Sequence, residues 1–181
     1  MKNYLSSLRW PFILSLSLFL ALAFAGYYLG GALSSILPEL EKIYGGLEGL
    51  NPVELAIFIF ANNSWKSLLA ILLGPFLAIF PVLFATSNGL VLGLVGFSVV
   101  KSRGLTFFLA GILPHGIIEI PAVLLSSAIG IRIGHETIRG KGIREELGKG
   151  LKFFALRIVP LLLLAAMVEV FLTPLILNLA K

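Results

Sequence analysis

The chain has 181 residues, enough for one compact unit, but 58% are hydrophobic and only 13% are charged, against roughly 25% charged in a soluble domain. With a mean hydropathy of +1.01, that composition excludes an ordinary water-soluble fold. The net charge of +5 does not mark a nucleic-acid binder, because the basic residues sit at the ends of apolar runs and not along a solvated stripe. There is no Cys and no Asp, and all nine acidic residues are Glu, which excludes disulfides and thiolate metal sites.

The expected fold class is all-α: a polytopic transmembrane bundle of about five spans forming one domain over residues 1–181. The first span runs from Pro11 to Ile36 behind Lys2 and Arg9, with Tyr27 and Tyr28 suited to the far interface. Ala23-Phe24-Ala25 before Gly26 resembles a signal-peptidase site, yet the apolar run is long for a signal peptide and suits a retained span. Residues 37–52, holding Glu39, Glu41 and Glu48 with three Gly and two Pro, are expected as an acidic outer loop. The second span (53–73) opens at Asn51-Pro52, a capping residue followed by a first-turn proline, and carries Asn62, Asn63 and Lys66. Glu54 at its start either belongs to the acidic vestibule or complements the helix dipole.

The third span (75–100) follows Gly74-Pro75 and is expected to break at Ser87-Asn88-Gly89. Lys101 and Arg103 precede the fourth (104–133), expected to break at Pro114-His115-Gly116. Residues 134–152 then form a loop. From Arg132 to Lys152 six basic residues oppose three Glu, which makes this loop and the N-terminus cytoplasmic and the protein a multi-pass protein of the cell membrane. The last span runs over 153–178. Two other topologies are open: 104–133 as a re-entrant segment, which brings Lys101 and Arg103 inside, or Pro52–Trp65 as an interfacial helix. Gly26-x-x-x-Gly30, Gly89-x-x-x-Gly93 and Ser126-x-x-x-Gly130 have the spacing that lets helix backbones approach, within a chain or between copies.

A charge in hydrocarbon costs about 2.5–3.5 kcal/mol on insertion scales, so each needs a partner, water or a ligand. With span midpoints as the bilayer centre, Asn88 and Glu119 fall near the midplane. His115 lies roughly 6 Å away at 1.5 Å per residue, Glu169 lies about as far off on the outer side, and Lys66 joins them if the second helix starts near Pro52. Arg157 is about 12 Å off centre, where it snorkels or meets lipid phosphate. The expected polar layer is therefore Asn63, Lys66, Asn88, His115, Glu119 and Glu169, with Glu39, Glu41, Glu48 and Glu54 as an acidic vestibule at its mouth. His115 and Glu119, four apart on one helical face, are a weak candidate metal pair; the competing reading makes His115 an interhelical hydrogen-bonder. No H-E-x-x-H, G-x-S-x-G or P-loop pattern occurs, so no enzyme, no cofactor and at most a bound cation are expected.

Asn62-Asn63, Asn88-Gly89 followed by Gly93, and above all Leu113-Pro114-His115-Gly116-x-x-Glu119-x-Pro121-Ala122 resemble the stage II sporulation protein M family. Gly130-x-Arg132, Arg157 and Glu169 fit as well, and the resemblance covers about Asn62 to Pro174. It implies a small polytopic membrane protein of bacteria and archaea. In spore formers such a protein acts as a scaffold, joining partners that remodel peptidoglycan during engulfment. Two functions are therefore expected: from the polar layer, a homo-oligomeric channel or transporter for cations or a small polar solute, and from the resemblance, a scaffold that meets protein partners through 134–152. Lipid is the common partner of both.

Overall fold

The computed structural model describes residues 2–32, 49–140 and 142–179. Among the described residues the fold is entirely helical. α1 (Lys2–Ser7) and α2 (Arg9–Leu29) are followed by α3 (Pro52–Leu72), α4 (Ile79–Arg103) and α5 (Leu105–Ile138). α6 (Ile143–Phe153), α7 (Val159–Met167) and α8 (Thr173–Leu179) form one rod, joined by π-helical turns at Phe154–Ile158 and Val168–Leu172. Five helical stretches are long and apolar enough to cross a membrane.

α3 starts where capping chemistry dictates. The Asn51 side chain accepts from the Val53 and Glu54 amides, both at 3.0 Å, and Glu54 Oε2 accepts from the Asn51 amide at 2.9 Å, with Pro52 in the first turn. The helix then runs unbroken to Leu72, so neither an interfacial Pro52–Trp65 helix nor a start at Lys66 is found. The next span starts at Ile79 and not at Pro75, because Leu77 and Ala78 take left-handed φ values of 54° and 58°, which ends helical propagation in a tight turn.

The two expected breaks are absent. α4 is continuous through Ser87-Asn88-Gly89, where Asn88 Nδ2 donates to Phe84 O of its own helix at 2.7 Å. α5 is continuous through Pro114-His115-Gly116 and Pro121, which also removes the re-entrant alternative. Each proline deletes one amide donor, a loss that neighbouring helices absorb inside a bundle. The real irregularities are the two π-turns of the last rod, each of which opens a helix by one residue. Nor is 134–152 a loop: α5 reaches Ile138 and α6 begins at Ile143, stabilised by Lys149 with Glu145 and Glu146 at 2.7 and 3.1 Å. By length α5 spans about 51 Å, more than a hydrocarbon core of about 30 Å.

The small-residue repeats are consumed within the chain. α2 and α4 run parallel, their backbones touching where Gly89 meets Phe19 and Gly93 meets Ala23 and Tyr27, while Gly26 sits on Leu90 and Gly30 under the Phe97 ring. Gly74, in the turn before α4, meets the Gly130 backbone. Gly130 also meets Ala70 and Pro81, and Gly134 meets Ala78, while Ser127 Oγ donates to Pro81 O. These contacts lock α3, the turn and α4 against α5. The apolar core fills the half of the bundle nearest the α5–α6 hairpin, with Ala70, Ile71, Phe84, Ile129, Ile133, Phe154, Ile158 and Leu162 all buried.

Candidate functional site

A cavity of about 370 Å³ lies among α2, α3, α4, α5 and the second π-turn, and Asn62, Asn63, Lys66, Asn88, His115, Glu119 and Glu169 all line it. Its apolar wall runs from Leu55, one turn into α3, past Val95 and Ile112 to Val123. It therefore extends from the middle of the bundle toward the end where α3 begins and α4 ends.

The polar groups are linked across helices. Asn62 Nδ2 donates to Asn63 Oδ1 at 3.3 Å, and Asn63 Nδ2 donates to Glu119 Oε1 at 2.9 Å, tying α3 to α5. His115 is buried at 9% exposure, with Nδ1 3.4 Å from Thr173 Oγ1. Thr173 Oγ1 donates in turn to Val168 O at 3.2 Å, the carbonyl that closes the π-turn. Glu169 lies within that turn and has no hydrogen-bond or ion-pair partner among the described residues, neither Lys66 nor His115. A ring nitrogen of His115 and carboxylate oxygens of Glu119 and Glu169 lie within 4.8 Å of one another. Lys66 is exposed at the cavity rim and close enough to Glu119 to interact with it electrostatically.

All six residues expected in the polar layer are thus brought to one cavity, and of the expected vestibule only Glu54 lies among the described residues. Glu39, Glu41 and Glu48 lie outside the described residues, and Glu54 is taken up by the α3 cap. Arg157 is exposed on the first π-turn, away from Glu169. Lys101 and Arg103 close α4 over aromatic rings, at 5.5 Å from Phe97 and 4.8 Å from Phe107. Sequence reasoning missed Thr173, whose only local signal is Pro174 after it: its partner is 58 positions away.

A second cavity, about 410 Å³, lies at the hairpin end among Tyr4, Ser7, Arg132, Glu146, Lys149, Lys152 and Phe153. Arg132 Nε donates to Glu146 Oε2 at 2.7 Å and Nη1 to Ser7 O at 3.2 Å, which fastens α1, α5 and α6 together. Burial, and then the Glu146 carboxylate, push the Tyr4 phenol up to about 12. Its hydroxyl is buried without a hydrogen-bond partner.

The model of one protein family, described as stage II sporulation protein M, matches residues 15–174. An uncharacterized protein of Methanocaldococcus jannaschii is 34% identical over 94 residues, 48% of this chain and 53% of the relative. The chain thus spans about half the length of that curated relative. No solved structure matches the chain.

Proposed function

The chain belongs to the stage II sporulation protein M family, and from that premise we propose that this multi-pass membrane protein binds cations in its polar cavity and carries them across the bilayer. One observation carries the reading: polar residues from four separate helical segments meet at one level in a single cavity. Such residues are costly in lipid unless a partner or ligand compensates them. Two carboxylates, Glu119 and Glu169, face one ammonium, Lys66. When both carboxylates are ionised they outnumber the ammonium, and a bound cation balances the difference.

The distribution of space favours a transporter over an open pore. The cavity extends toward one end of the bundle, and a buried apolar core lies between it and the hairpin end, the arrangement of a binding site exposed to one side at a time. Because the cavity lies within one chain, passage through it needs no symmetry axis between copies. The basic residues of α1, α2 and the α5–α6 hairpin lie at the same end, and the charge rule makes that end cytoplasmic. In this orientation the N-terminus is inside, the protein sits in the cell membrane and the cavity faces outward. The site is read as one of binding and not of catalysis.

The test is flux of Na⁺, K⁺ and Mn²⁺ in proteoliposomes. The wild type moves at least one of them, and Glu119→Gln, which keeps the Asn63 contact and removes the charge, lowers that flux at least tenfold. Unchanged flux in the variant rejects the mechanism. A second reading, a scaffold, draws on the α5–α6 hairpin with its exposed Arg144, Lys149 and Lys152. It predicts no flux and a protein partner that co-purifies stoichiometrically until Arg144→Glu weakens it.

A further inference from the structure

The cavity's polar groups differ in what they can hold. Asn88 donates to its own helix, and Asn63 is committed to Glu119. That leaves His115, Glu119 and Glu169, drawn from α5 and the second π-turn, whose ligand atoms already lie within 4.8 Å of one another. Two ligands at about 2.0–2.2 Å from one ion are at most roughly 4.4 Å apart. Small rotamer changes therefore suffice to bring the three onto a common centre.

Hydrogen bonding around His115 sets which ring nitrogen keeps a lone pair for a metal. Thr173 Oγ1 lies 3.2 Å from Val168 O. Of these two oxygens only the hydroxyl has a proton to give, and it donates to the carbonyl. Toward His115 the hydroxyl therefore offers a lone pair, so Nδ1 carries the ring proton and donates to it across 3.4 Å. Nε2 is left with its lone pair, the form in which imidazole binds a metal. An outer hydrogen bond that fixes the tautomer of a ligating histidine is a recurrent element of metal sites. Asn63 serves Glu119 in the same way, occupying Oε1 and leaving Oε2.

We propose that His115, Glu119 and Glu169 form a three-ligand site for a divalent first-row transition-metal ion, with Thr173 as the positioning residue for His115. This deepens the cation-carrier reading and rests on it for the identity of the cargo. One imidazole with two carboxylates suits Mn²⁺, Fe²⁺, Co²⁺ or Zn²⁺, whereas all-oxygen sites suit Mg²⁺ and Ca²⁺. Neither Cys nor Met lines the cavity, so the soft ligands that select Cu⁺ are missing there. Three protein ligands leave coordination positions for water, which a carried ion needs in order to leave.

The test is titration of the purified protein in nanodiscs with Co²⁺ alone, read by its visible absorption, against Mg²⁺. The wild type is expected to bind one Co²⁺ per chain, at least a hundredfold more tightly than Mg²⁺. His115→Asn and Glu169→Gln weaken Co²⁺ at least tenfold with unchanged helical circular dichroism. Thr173→Val weakens it tenfold or more and changes the spectrum, while Thr173→Ser restores both. Equal affinity for Mg²⁺ and Co²⁺, or unaltered Co²⁺ binding in His115→Asn, overturns the proposal. Tight Co²⁺ binding in a protein without flux upholds the site and removes the carrier. Flux of Na⁺ or K⁺ with no Co²⁺ binding upholds the carrier and removes the metal site.

Discussion

Gly93→Leu is expected to yield a protein that aggregates in detergent or melts at least 10 °C lower. A Cβ at this position meets Ala23 O and the Tyr27 amide, both backbone atoms of α2. Neither can swing aside as a side chain would, so α2 and α4 must separate. Overpacking typically costs about 1–3 kcal/mol and occasionally more, and this seam carries the most extensive helix–helix contact of the fold. The damage reaches the site, because Gly89 holds Phe19 against α4 directly beside Asn88, and both residues line the cavity. Gly148→Ala is the control. It lies on an exposed face of α6 where an added Cβ meets nothing within 4 Å, and it should stabilise by about 0.5–1 kcal/mol through helix propensity. Thermal melts followed by circular dichroism compare the two.

Lys66→Met is expected to tighten cation binding about tenfold or more, the equivalent of about 1.4 kcal/mol. The ammonium at the rim is a tethered cation that interacts with the Glu119 carboxylate, so any ion entering the cavity competes with it. Methionine keeps the length of the stem and its apolar contacts while deleting the charge. A carrier that holds its ion more tightly also releases it more slowly, so turnover should fall as affinity rises. Paired binding and flux titrations check both signs. Weaker binding in the variant shows instead that Lys66 contributes to holding the bound species.

The polar layer was legible because lipid imposes strict rules. Glu119 and Glu169 lie 50 positions apart, yet helical rise placed them at similar depth, and the cost of burying either alone required them to share an environment. The local backbone was harder to read. Pro114, Gly116 and Ser87-Asn88-Gly89 are turn signals in water, where solvent competes for the backbone. In a bundle the same residues stay helical, and Asn88 bonds its own helix. The converse failure concerns the π-turns, Phe154–Ile158 and Val168–Leu172, which Pro160 and Pro174 follow two residues on without fixing where the helix opens. The charges of 134–152 suggested a loop, although Glu145, Glu146 and Lys149 have helical spacing and pair accordingly. The glycine repeats gave the right close approach but not the partner, which is the chain itself.

The most direct test of the central claim uses the absence of native cysteine. Asn88→Cys is treated with a membrane-impermeant maleimide in oriented vesicles, with Val53→Cys and Arg144→Cys, both exposed in the fold, marking the two sides. Asn88→Cys should react from the side that labels Val53→Cys and stay protected from the side that labels Arg144→Cys. Labelling from neither side, or from the Arg144 side, would contradict a hydrated polar cavity open to one face of the membrane.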